Sequence, residues 1–128
     1  MNERYLRGVE ILQQLHGNVV EKVTNTVAEI APDFARMTIE YPFGDLYARD
    51  GADLRTREIA AVSALAAVGA QPQLRIHVAA ALHSGCTREE LVEILMQVSI
   101  YAGFPAALNA LASCHDLLAM PPDPVAAE

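Results

Sequence analysis

A histidine, a glutamate and a group of arginines are the residues of this chain best suited to moving a proton or holding an anion. His77 sits in the series Leu74, His77, Val78, Ala81, Leu82, the i, i+3, i+4, i+7, i+8 pattern of a helix face turned inward. It is either a satisfied core histidine or a partly buried general acid or base, the usual work of an imidazole held off solvent. His83 falls off that stripe and reads as a surface residue. Glu58 shares a helix face with Val62, Leu65 and Gly69. It is either a first-turn carboxylate favoured by the helix dipole or a group that orients or protonates a partner, and the natural partner is His77. In a straight antiparallel hairpin turning near Gln71, Glu58 lies about twice as far from the turn as His77. Either the helices cross or a second subunit contributes. Arg49, Arg55, Arg57 and Arg75 bracket the two in sequence. Singly, each reads as a surface arginine pairing with Asp50, Asp53 or Glu58. As a group they have the chemistry to bind a small anion, because a guanidinium recognises a carboxylate through paired N–H groups.

The cysteines point elsewhere. Cys86 and Cys114 form no Cys-x-x-Cys and have no metal-ligand spacing with the histidines, so no metal site is expected. Two cysteines do not make a disulfide framework, which favours a reducing, cytoplasmic setting. Cys86 lies in the turn Ser84-Gly-Cys-Thr87, where proximity to a helix N-terminus can lower a thiol pKa. Cys114 fits the inner face of the last helix. There is no glycine-rich phosphate loop and no nucleophile elbow.

The elements that must position these residues are helical. Of 128 residues, 52% are hydrophobic but only 5% aromatic, with no Trp. Alanine supplies roughly a sixth of the chain, which favours closely packed helices over a β-sandwich or barrel. Residues 3–15 form one helix, with Tyr5, Val9 and Leu12 on a face and Gly17 as its stop. Asn18 and Glu21 read as the cap of the next. Pro32 opens a turn set carrying Phe34, Met37 and Tyr41. Pro42, Gly44 and Asp50-Gly51 then predict an irregular region around a short helix at residues 45–48. Asp53 caps a helix from about Leu54 to Val68. Pro72 suits the first turn of the next. Thr87 and Glu90 form a capping box for a helix ending near Gly103. Pro105 opens a last helix that stops before Pro121. The expectation is a single all-α domain over residues 1–120, a bundle of about six helices, followed by a Pro-rich tail at residues 121–128. From Ile59 to Ala70 one helix is apolar or small on every side, the mark of a buried central helix. A second copy of the chain would help bury it, so a homo-oligomer is expected.

Charge and hydropathy exclude several classes. The net charge is -7, with 16 acidic against nine basic residues, and phosphate neutralisation needs a basic footprint, so nucleic-acid binding is not expected. The start MNERYLRGVE has no apolar core of signal-peptide type. The charge-free stretch from Ile59 to Leu74 is interrupted by Gln71, Pro72 and Gln73, which leaves it short of the roughly 20 apolar residues of a membrane span. A local arginine cluster still suits a small anionic substrate, because distant charges are screened beyond about 8–10 Å.

Several motifs in order carry a resemblance. Leu54-Arg-Thr-Arg-Glu-Ile59, His77, Gly85-Cys-Thr-Arg-Glu-Glu-Leu91 and Tyr101-Ala-Gly-Phe-Pro-Ala-Ala107, with Tyr41-Pro-Phe-Gly-Asp-Leu-Tyr47 upstream, resemble the carboxymuconolactone decarboxylase family of the alkyl hydroperoxidase-D-like superfamily. The resemblance spans roughly residues 5–118 and implies an all-helical fold assembled as trimers or hexamers. One branch of that superfamily is a thiol peroxidase, with a glutamate, a Cys-x-x-Cys and a histidine four residues after the second cysteine. Glu58 and His77 match the glutamate and the histidine. Ala70 and Gln73 stand where the cysteines would be, and Pro72 stands where that branch has a histidine between them. The redox pair is missing, and a dithiol mechanism needs it.

The other branch implies cofactor-free decarboxylation of a small carboxylated lactone in aromatic-compound catabolism. On that reading His77 is the proton donor and Glu58 its orienting partner. Arg57 and Arg55 contact substrate carboxylates, and Tyr47 and Tyr101 line the pocket. Asn109 stands one residue from the polar position expected after Pro-Ala-Ala. Two rival expectations are a thiol-dependent peroxidase using Cys86 or Cys114, and a non-catalytic oligomeric binding protein.

Overall fold

Short-range caps and prolines set most of the element boundaries. The structure, a computed structural model, describes residues 2–17 and 19–119. The cap expected at Asn18 and the tail from Pro121 lie outside the described residues. The chain is all-helical over what is described, and it divides into two units, residues 1–57 and 58–128. No described helix is long and apolar enough to cross a membrane.

In the first unit, Asn2 starts α1 (Glu3–His16) by accepting a hydrogen bond from the Tyr5 amide at 2.8 Å. α1 ends at Gly17, whose φ of 57° suits a residue without Cβ. α2 (Val19–Ala28) and α3 (Pro32–Ile39) follow. Phe34, Met37 and Tyr41 are exposed, and α3 buries Ala35 and Ile39 instead.

The region expected to be irregular is a π-helical segment, Glu40–Leu46, continuous with α3. Two physical causes are visible. Pro42 has no N–H to give the α ladder, while its carbonyl accepts from the Tyr47 amide five residues on, at 2.8 Å. The segment also lies backbone to backbone against α1: a Cβ on Gly8 would meet the Ile39 carbonyl at 2.5 Å, and one on Gly44 would collide with the Arg4 carbonyl. Ion pairs seal this contact. Arg4 holds Asp45 at 2.7 Å and Glu40 at 3.3 Å, and Arg36 holds Glu40 at 2.6 Å. The Arg4 guanidinium keeps the Asp45 carboxyl below its ordinary range.

α4 (Leu54–Val68) is capped as expected, with the Thr56 amide bonded to Asp53 Oδ1 at 2.8 Å. In the second unit, α5 (Gln71–His83) carries Pro72 in its first turn, and α6 (Arg88–Ala102) shows both halves of the Thr87–Glu90 capping box. α7 (Phe104–Ser113) follows Gly103. The single last helix of the sequence reading breaks at Cys114, and α8 (His115–Leu118) is separate. Arg75 explains the break. It donates to the Ser113 carbonyl, which would otherwise take the Leu117 amide; that amide bonds to Cys114 O at 3.0 Å instead. Of the residues that the spacing of a single helix would set on one side, Ala107, Cys114 and Leu118 are buried and Leu111 is partly buried.

The core of this unit joins Val62, Leu74, Val78, Leu91, Leu95 and Cys114, with Leu118 at its edge. α4 itself buries the stripe Glu58, Val62, Ala66, while Ala60, Ala64 and Val68 remain exposed on the single chain.

Candidate active site

Glu58 stands at the start of the α4 stripe that continues into the core, and its side chain is fully buried. A carboxylate in such a place must be paired or hydrogen-bonded to be tolerated. Its partner is His77 on α5: Nδ1 lies 2.7 Å from Glu58 Oε2. Both residues belong to the second unit of one chain, so no second subunit is needed to bring them together. The contact joins α4 to α5 although the two residues stand at different distances from the intervening turn.

The imidazole comes from the inward face of α5, between buried Leu74 and Val78, with 18% of its side chain exposed. A carboxylate oxygen at this distance places the proton on Nδ1. Nε2 is then the nitrogen that can exchange a proton with another group. The second oxygen, Glu58 Oε1, is buried with no hydrogen-bond partner among the described residues.

The arginines separate by what they hold. Arg4, Arg36 and Arg75 are each committed to a carboxylate. Arg75 binds Asp116 through both terminal nitrogens, at 2.7 and 2.9 Å, and depresses its carboxyl to about 2. It therefore acts as a tie from α5 to α8. Arg57 is different. Its Nε donates to the Ala52 carbonyl at 3.2 Å and its Nη2 to the Arg49 carbonyl at 3.3 Å. The Tyr47 ring lies 6.0 Å from its Cζ. No carboxylate lies within ion-pair distance of Arg57 among the described residues. Main-chain carbonyls, not the aspartates expected as partners, hold this cation. Arg55 is half-buried on the first turn of α4, and its charge helps lower the Asp53 carboxyl after the hydrogen bonds from Thr56. Arg49 is exposed.

Tyr101, near the C-terminal end of α6, is 81% exposed, and His83 is on the surface. Cys86 and Cys114 are both buried. Burial pushes the Cys114 thiol up, and the Ser113 hydroxyl offsets this only in part.

The sequence reading assigned no role to Phe43 or Glu40. Phe43 packs against Tyr47 at 5.0 Å between ring centroids. Its signal was its place in the segment Tyr41–Tyr47. Glu40 is buried under Arg4 and Arg36. The i, i+4 spacing of Arg36 and Glu40 was the cue to that pairing.

Comparison with known proteins adds an independent line. The profile of the carboxymuconolactone decarboxylase family matches residues 32–115. The chain is 29% identical over 110 residues to a 4-carboxymuconolactone decarboxylase of Acinetobacter baylyi, covering 85% of this chain and 82% of that one. It is 35% identical over 85 residues to an uncharacterized 15.0 kDa protein of Paracoccus denitrificans, covering 65% and 63%. It is 24% identical over 108 residues to a nitrosuccinic acid decarboxylase of Metarhizium robertsii, covering 81% and 73%.

Proposed function

The chain belongs to the carboxymuconolactone decarboxylase family, and from that premise we propose that it is a cofactor-free decarboxylase of a small carboxylated lactone. The observation that carries the reading is the 2.7 Å contact between His77 and the fully buried Glu58. Two relatives in the comparison bear decarboxylase names, which supports the same class.

The chemistry asks for three things. The carbon–carbon bond to the departing carboxylate breaks, and its electron pair flows into the conjugated lactone carbonyl, giving carbon dioxide and a furan-like dienolate. A proton is then added to a ring carbon. The protein must therefore hold carboxylates, favour negative charge on the lactone oxygen, and deliver one proton. Arg57 and Arg55 take the first two tasks. His77 delivers the proton from Nε2 while Glu58 steadies the Nδ1 proton and the imidazolium side of the cycle. Arg57 suits its role because no carboxylate among the described residues lies within ion-pair distance of it.

The thiol-peroxidase alternative gains nothing from the sulfurs. Both are buried, and burial raises the Cys114 thiol, opposite to what an attacking thiolate needs. Assembly with copies of the chain belongs to the same proposal, as trimers or hexamers. Val68, Ile100, Tyr101 and Phe104 are each at least 73% exposed, and large apolar side chains left on the surface of one chain favour association.

Incubation with 4-carboxymuconolactone, following carbon dioxide release and lactone absorbance together, tests the function. Release of one carbon dioxide per lactone consumed is expected. No release, with substrate intact, overturns the assignment. Peroxide consumption that is lost in a Cys86→Ser/Cys114→Ser variant would favour the thiol reading instead.

A further inference from the structure

The Arg57 guanidinium is braced from more than one side within the first unit. Two main-chain carbonyls take Nε and Nη2, at 3.2 and 3.3 Å. Both bonds are at the long end of the normal range, so they locate one edge of the group but restrain its tilt weakly. The Tyr47 ring lies over the same group, 6.0 Å from Cζ, at the outer limit of a cation–π contact.

Tyr47 is itself supported. Phe43 packs on it with centroids 5.0 Å apart and planes at 55°, and His16 meets Phe43 edge-on at 6.2 Å and 88°. Such tilted and edge-on contacts are favourable geometries for aromatic pairs. Phe43 belongs to the π-helical segment and Tyr47 follows it directly. The unusual coil thus delivers a row of rings, His16–Phe43–Tyr47, that ends under Arg57.

We propose that Tyr47 and Phe43 are positioning residues for Arg57: their rings fix the guanidinium plane so that its remaining N–H fork meets a substrate carboxylate. This rests on the reading above, in which Arg57 holds that carboxylate. It also changes the role first expected for Tyr47, from a pocket contact of the substrate to a brace behind the cation. A cation over a ring is held by the ring's quadrupole, which the phenol hydroxyl scarcely alters. The ring and not the hydroxyl is what matters.

The experiment has one arm with no substrate and one with it. The first follows rotation about the Arg57 Nε–Cζ bond by NMR in the intact protein and in Tyr47→Phe, Tyr47→Leu and Phe43→Leu. The second measures KM and kcat for 4-carboxymuconolactone in the same set. Tyr47→Leu should speed the rotation and raise KM about 3- to 30-fold, with a smaller loss in kcat. Tyr47→Phe should restore both. Phe43→Leu should shift both in the same direction by less, and it carries the test if Tyr47→Leu does not fold. Unchanged rotation in the Leu variants overturns the proposal, as does a Tyr47→Phe variant as impaired as Tyr47→Leu. A wild-type protein without turnover would sink the decarboxylase reading alone, since the rotation arm still decides the role of the rings.

Discussion

On the proposed mechanism, His77 carries the heaviest chemical demand of any single residue. Its Nδ1 is tied to a buried carboxylate at 2.7 Å, so its ring orientation is set before any ligand arrives. Replacing it by Ala should lower kcat about 10²- to 10⁴-fold, the range for loss of a positioned acid or base. Circular dichroism should still report a helical fold, but the thermal midpoint should fall, because Glu58 is left buried without His77. Glu58→Gln should cost less than His77→Ala. The amide oxygen can still accept from Nδ1, although the charge that steadies an imidazolium is gone. A His77→Ala enzyme with wild-type kcat would remove the residue from the mechanism. His77 and Glu58 were recognisable as candidates from periodicity alone. Their contact was not, because the spacing placed them at different heights on a straight hairpin.

At the scale of elements, the informative features are those where a distant group overrides local preference. The break between α7 and α8 follows from Arg75, which takes the Ser113 carbonyl and chelates Asp116. No pattern in the last helix announces this, since the cause lies 38 residues away. The tie has a pH signature. The Asp116 carboxyl is lowered from 3.8 to about 2 by Arg75, so the unfolded chain binds that proton more readily than the folded one. The stabilisation is then complete above the ordinary carboxylate range and is lost as pH falls through about 2. The thermal midpoints of the wild type and Asp116→Asn should differ at about pH 6 and converge near pH 2. A gap that stays constant between those values would mean the ion pair does not contribute. The pair is exposed, so the effect will be small. The π-helical segment has a similar origin. Gly8 and Gly44 let two backbones touch, and only the packed unit reveals that they face each other.

For the whole molecule, the outstanding feature is apolar surface left uncovered on one chain. Ile100, Tyr101 and Phe104 lie where α6 gives way to α7, and each is at least 73% exposed. Sedimentation should show a species several times heavier than the 13.8 kDa chain. Ile100→Glu and Tyr101→Glu should shift it towards the single chain, because a charge buried in an apolar interface is costly. A wild type that sediments as one chain would exclude assembly. The acidic balance of the molecule does not oppose a small anionic substrate, since Arg57 is a local charge with no carboxylate in ion-pair reach among the described residues.

The sequence alone determined the all-helical class, the caps at Asp53 and Thr87, the proline-started helices and the absence of a redox cysteine pair. These depend on neighbours within a turn or two, where propensity and capping act. Only the tertiary structure decided that Glu58 meets His77, that Arg75 is spent on Asp116 while Arg57 has no carboxylate partner among the described residues, and that Phe43 packs on the Tyr47 ring near Arg57. Each of these joins side chains on different elements. Which ones meet depends on helix crossing and backbone approach, quantities set by packing and invisible to a local pattern.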